Sequence, residues 1–416
     1  MTERPRLRPV EAFPVQHNGE TLIYLKDPLN LAPPLGVSPV GYFILSHFDG
    51  RHSLIDIQEQ YCRRFGDLLL TEQLKGFIDM LDRHYYLVSE RFLEHQARTV
   101  EEFRRRPTRA AAHAGGVYKT DPAELAAQLD GYFTHPKGPG MPGPGRRSAP
   151  PRAIVAPHID FHRGGPAYAW AYKELAESEG ADLYILLGTS HCGGEHPFIL
   201  TFKDFETPLG PVETDKEFAG KLVERCGSEL LADEYLHRGE HSIEFQAVFL
   251  QYVARGREAL GGRRPRPFKI VPILVSSFHA MIHARTAPEE QAPVASFLSA
   301  LRELTAADSR RVCFVAGVDL AHVGRQFGDR EEMTPEFLRW VEEEDRRLID
   351  RLAALDARGF FDEVAKDQDR RRICGFAPLY SLIRLLEGAR GRNLTYDQAF
   401  TPETASAVTF TAMVFE

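Results

Sequence analysis

Apolar and polar positions follow one rhythm over residues 12–100 and another beyond residue 152. In the first region, residues 13–25 read as short extended segments, with Asn18-Gly19 as a hairpin turn. Val40-Gly41-Tyr42-Phe43-Ile44-Leu45 and an Asp49-Gly50 turn follow. Ser53 can cap a helix running to about Phe65, because Leu54, Ile55, Ile57, Tyr61 and Phe65 fall near one face. A second helix starts near Thr71, with Leu74, Phe77, Ile78, Leu81 and Tyr85 as its stripe, and Tyr86-Leu87-Val88 reads as a strand. Helices followed by a short β element predict a small winged-helix-like domain over residues 1–103.

From residue 152 short apolar runs alternate with helical periodicity. Strands are expected at 153–156, 183–188, 198–202, 270–275, 312–318 and 407–415. Helices are expected at 164–176, 215–226, 242–255, 335–355 and 376–386. Alternating strands and helices predict an α/β domain over residues 104–416, a sheet flanked by helices. The basic, Ala-rich stretch 104–112 reads as a hinge, and the Pro/Gly tract 136–151 as a flexible loop. The Gly-x-Gly spacings of that tract are no phosphate loop, since no strand pattern precedes them and no helix pattern follows.

The chain of 416 residues suggests two or three domains at roughly 150 residues each. Lys and Arg number 51 against 59 Asp and Glu, a net charge of −8, so a generally basic nucleic-acid-binding surface is not expected. No apolar run approaches the roughly 18 residues of a membrane span. The N-terminus MTERPRLRPV lacks the apolar core of a secretory signal. Five cysteines without paired spacing point to a reducing, cytoplasmic setting and not to a disulfide framework.

Candidate chemistry lies where predicted strands end. Ala156-Pro157-His158-Ile159-Asp160, Gly188-Thr189-Ser190-His191-Cys192 and Gly317-Val318-Asp319-Leu320-Ala321-His322 each follow a strand run. Ligands of open α/β sheets bind outside the carboxyl ends of strands, so these histidines are candidates to converge. Cys374 stands just before a predicted helix, whose N-terminus favours a thiolate, the form that ligates metal. Glu240-His241-Ser242-Ile243-Glu244 opens another helix; His241 is a catalytic candidate there, or it or Ser242 is simply the cap. Cys192, His162 and His196 carry lower weight.

Seven segments in order, including "APHIDFHRGGPAYAWAYKEL", "LLGTSHCG", "EHSIEFQAVFLQY", "GVDLAHVG" and "ICGFAPLYSLI", resemble the Memo family, in its AmmeMemoRadiSam system protein B branch. The resemblance runs from about Ala112 to Glu416. It implies a fold related to class III extradiol (LigB-type) dioxygenases, with metal positions at His158, His191 and Cys374. His322 matches a catalytic histidine beside the metal, with Asp319 next to it. The dioxygenases use a carboxylate where this chain has Cys374. Two histidines and a thiolate form a softer set that suits copper or zinc as well as iron. Iron or copper is expected ahead of zinc, with redox chemistry. The resemblance also implies company with a radical SAM protein.

In the N-terminal region, F-D-G-x-x-S-x-x-D-I and "HYYLV" resemble PqqD-like peptide-recognition domains. A packing or dimerisation module is the plain alternative there; DNA binding is disfavoured by the few basic residues of the second helix. Two further readings of the whole compete with a redox enzyme acting on a peptide or small molecule. One is a non-catalytic partner-binding module with a structural metal or an empty cleft. The other is a zinc hydrolase, with Glu240 or Glu244 as base.

Overall fold

The computed structural model describes residues 3–17, 19–143, 148–255 and 266–416. The chain divides into two compact units, Met1–Arg106 and Pro107–Glu416. In the first, β1 (Glu11–His17) and β2 (Glu20–Lys26) pair antiparallel, and β3 (Leu35–Val37) pairs antiparallel with β2. Asn18 of the expected hairpin turn lies outside the described residues; Gly19 has φ +83°, the left-handed conformation such a turn requires. Then come α1 (Pro39–Leu45), α2 (Leu54–Phe65), α3 (Thr71–Arg83) and α4 (Glu90–Arg105). Ser53 caps α2 through a reciprocal box with Asp56. Leu25, Leu45, Ile57, Leu74, Leu81 and Tyr86 form the core. The strand expected at Tyr86-Leu87-Val88 reduces to one bridge between Leu7 and Leu87. Tyr85 turns left-handed (φ +65°) and Ser89 already caps α4, so no room remains for a strand.

The second unit opens with β4 (Thr108–Arg109), α5 (Pro122–Thr134), β5 (Ala153–Ala156), α6 (Phe161–Ala176), β6 (Leu183–Thr189), β7 (Phe198–Leu200) and β8 (Asp204–Phe205). It continues with α7 (Lys216–Cys226), α8 (His241–Ala254), β9 (Lys269–Val275), α9 (His279–Ala284), α10 (Ala292–Ala307), β10 (Val312–Gly317) and β11 (His322–Gly324). It closes with α11 (Pro335–Ala353), α12 (Ala357–Ala365), α13 (Phe376–Leu385), β12 (Gly391–Thr401) and β13 (Ser406–Phe415). The eight-stranded sheet has the order β11-β13-β5-β10-β6-β9-β7, with β12 on the other edge of β13. Its centre, β5-β10-β6-β9, is parallel.

Alternate residues of these strands face opposite helical layers. Val155, Ile185, Leu187 and Ile273 pack with α7, α10, α12 and α13, while Ile154, Leu186, Ile270 and Val315 pack with α5, α6 and α8. Both faces are covered, which is why the strands read as unbroken apolar runs. Gly317 is paired with Ala156 on one side and Gly188 on the other, so the carboxyl ends of β5, β10 and β6 are level.

Two expected flexible segments are not free chain. Thr108–Arg109, within the presumed hinge, pairs in parallel with β8, and Arg109 is fully buried. The Pro/Gly tract has no helix or strand among its described residues, but its start is tied to α6. Trp170 Nε1 donates to the Lys137 carbonyl (2.9 Å), Lys173 Nζ to that of Pro139 (2.7 Å), and Gly143 N to Glu177 (3.0 Å). Residues 144–147 of the tract lie outside the described residues. Among the described residues, no helix is long and apolar enough to cross a membrane.

Candidate metal centre

The level carboxyl ends place His158 and His191, each two residues beyond its strand, side by side; their ring centroids are 4.7 Å apart. α8 brings a third imidazole. Its first turn rests directly on the sheet, because Gly188 and Gly317 have no side chain. A Cβ on Gly188 would stand 2.6 Å from Ile243 Cγ1 and Ser242 Oγ, and one on Gly317 2.4 Å from the Ser242 carbonyl. His241 therefore sits 5.1 Å from His158 and 4.7 Å from His191 between ring centroids. The ligand atoms of all three histidines lie within 4.8 Å of one another. Cys374 joins through His158, with Sγ 3.2 Å from Nε2.

Each ring is oriented from behind. His158 Nδ1 faces the Gly317 carbonyl at 3.0 Å, so Nε2 carries the free lone pair. His191 Nδ1 faces both oxygens of Glu240 at 3.0 Å, and its backbone N–H donates to the same carboxylate. Glu240 is also the cap of α8, accepting from the backbone of His241 and Ser242. The cap is thus Glu240, and not His241 or Ser242. Burial works to raise the Glu240 carboxyl, but His191 and His241 beside it outweigh that and hold it well below the usual range. A carboxylate behind an imidazole is the arrangement that steadies metal-ligating histidines. Burial, followed by the charge of His191, keeps His158 neutral well below the ordinary histidine range, and burial does the same for His241.

The other expected residues take distinct places. Asp319, 2% exposed, accepts from the His158 backbone (3.0 Å) and lies 3.5 Å from its Nε2; burial raises its carboxyl to about 6. His322 lines the same cleft, its Nδ1 3.1 Å from the Leu320 carbonyl, and burial lowers its pKa. Cys374 departs from expectation. Burial pushes its thiol well above the usual range, which outweighs any gain from the start of α13. Glu244 is not a base for the site. It is fully buried beneath Arg109 and accepts from the backbone of Ala112 and His113 and from Tyr118. Glu240, spent on orienting histidines and held ionised, is a poor base as well. Cys192 and His162 are exposed on the surface.

The three imidazoles, Asp319 and His322 border a cleft of about 400 Å³, which Ile159, Phe245, Phe327 and Val408 make partly apolar. His113 also lines it, with Nε2 3.0 Å from the Gly239 carbonyl. Neither its role nor that of Glu240 as orienting carboxylate stood out in the sequence. The only signal was a glutamate one residue before a histidine at a helix start.

Residues 109–414 match the family of Memo-like proteins. A MEMO1 family protein of Aquifex aeolicus is 28% identical over 414 residues, 98% of this chain and 99% of its own length. MK0963 of Methanopyrus kandleri, also a MEMO1 family protein, is 30% identical over 315 residues, 74% of this chain and 98% of its own. MTH_45 of Methanothermobacter thermautotrophicus is 32% identical over 279 residues, 66% of this chain and 86% of its own. The histidine-bearing sheet edge is thus the edge of a domain shared with these proteins, and the chain belongs to the Memo-like family.

Proposed function

We propose that the second unit carries a mononuclear transition-metal centre of the oxidoreductase class, acting on a small molecule or peptide end held in the 400 Å³ cleft. The observation behind this reading is the convergence of three imidazoles, backed by the Gly317 carbonyl and Glu240, and a thiol at one sheet edge. His158, His191 and Cys374 are the donors we assign. A nitrogen about 2.0 Å and a sulfur about 2.3 Å from one ion stand about 3.1–3.5 Å apart, which the 3.2 Å contact matches. A bound iron or copper ion would supply one-electron redox chemistry and an open position for substrate.

The remaining chemistry belongs to the chain itself. Burial holds His158 neutral, so its Nε2 lone pair stays available. His322, poised at the cleft wall, is the group we assign to give or take a proton at the substrate. Asp319, with its carboxyl raised to about 6, holds the His158 backbone in place and stands ready to exchange a proton. His241 faces the cleft beside His191, on the substrate side. Cooperation with a radical SAM protein is part of the same proposal, and co-purification of the two from a common host tests it.

The test of the catalytic assignment is a His322→Ala variant. Metal content and fold should be retained, while metal-dependent reductant oxidation or oxygen uptake falls about 10²-fold or more. Turnover equal to wild type would remove His322 from the chemistry. Native protein free of metal under anaerobic purification would favour a partner-binding module instead.

A further inference from the structure

Outside this centre a second pair of imidazoles faces one point. His279 and His283 stand one turn apart on α9 and so project from one face. Their Nε2 atoms are 2.8 Å apart, with ring planes at 85°. Two imidazole nitrogens each about 2.05 Å from one ion are about 2.9 Å apart at a right angle and about 3.4 Å at a tetrahedral one. The observed separation is that of an N–H···N hydrogen bond between the rings, and it is close to the right-angled value, so one tetragonal copper(II) or nickel(II) ion could replace the shared proton with little movement of either ring. On the far side of His279, Nδ1 is 3.6 Å from Asp369 Oδ2. Asp369 is 9% exposed and fixed by accepting from the Ile373 backbone at 2.8 Å. That places a carboxylate behind a candidate ligand, as Glu240 stands behind His191. His279 and Asp369 line a depression of about 270 Å³ that His191 and Cys374 also border.

We propose that His279 and His283 form a second metal site, for a divalent ion of the copper(II) type, steadied by Asp369 and opening on the depression shared with His191 and Cys374. The site stands on its own residues and does not depend on the assignment of His158, His191 and Cys374.

Copper(II) titration of the metal-stripped full chain, read by electron paramagnetic resonance and visible absorption, tests it. Wild type should bind one equivalent more than His279→Ala/His283→Ala. In a His158→Ala/His191→Ala background one nitrogen-ligated equivalent should persist, and adding the His279→Ala/His283→Ala changes should remove it. Asp369→Asn should weaken that equivalent about 10-fold or more. Equal copper stoichiometry in wild type and His279→Ala/His283→Ala overturns the proposal. That variant changes two exposed side chains, so it stays readable even where the His158→Ala/His191→Ala background fails to fold. Failure of the central site alone would appear as loss of the other equivalent.

Discussion

The two ends of the parallel strands treat charge in opposite ways. At the amino end, Arg311, just before β10, pairs with Asp182, just before β6, through Nε (3.0 Å) and Nη2 (2.7 Å). Arg310 pairs with Asp308 at 2.8 Å and also with Asp215. Asp182 is accordingly held below the usual carboxylate range by the Arg311 hydrogen bond. At the carboxyl end, no arginine pairs with the Asp319 carboxylate among the described residues, and burial raises it to about 6. His158 and His241 are kept uncharged, and Cys374 keeps its proton. At the amino edge these arginines and aspartates are paired. The other gathers titratable donors around the buried His158, at a cost in desolvation that folding alone does not explain. Such a concentration of perturbed groups is what a working site requires.

The largest expected effect tests what props up the carboxyl edge. Arg109 and Glu244 are fully buried partners beneath α8. Arg109→Met leaves the Glu244 carboxylate without its cation, and should destabilise the fold by about 3–5 kcal/mol in chemical denaturation. A loss under 1 kcal/mol would show that the pair does not hold α8 on the sheet. Next, Glu240→Gln removes the carboxylate behind His191. Metal affinity should fall about 10–100-fold, measured by competition with a chelator, while the fold remains. Unchanged affinity would separate Glu240 from the centre.

Cys374 sharpens the comparison from the thiol side. Because burial holds it protonated, the metal-free protein should alkylate at Cys374 more than about 10-fold slower than at the exposed Cys62 and Cys192 near pH 8. Mass-spectrometric labelling rates decide this, and fastest labelling at Cys374 would contradict the burial argument. The smallest effect belongs to the amino edge. Side chains of Arg311 and Asp182 are about a third exposed or more, at 33% and 39%. Arg311→Ala should therefore cost no more than about 1 kcal/mol and leave metal content untouched.

Much of this contrast is legible in the chain. Strand runs ending in His158, His191 and Asp319 follow from a sheet buried on both faces, where apolar residues stop only at the strand ends. The third imidazole was harder to place. His241 reaches the others because Gly188 and Gly317 admit α8 to the sheet, and close approach between distant segments leaves no local pattern. Arg109 reads as part of a basic hinge, since burial by a partner 135 residues away has no local signature. β12 was missed because its side chains are partly exposed throughout and lack alternation. α10 was missed as well, although Val294, Phe297, Leu298, Leu301 and Leu304 lie on one stripe, a signal strong enough to read. The thiolate expected at Cys374 failed because a helix terminus contributes little beside desolvation.

The central claim, a metal centre at the carboxyl edge, is tested most directly by counting ions. Elemental analysis of the full chain purified anaerobically should give at least one transition ion per chain in the wild type. The His158→Ala/His191→Ala variant, folded by circular dichroism, should hold one ion fewer. Equal metal content in the two proteins would contradict the account.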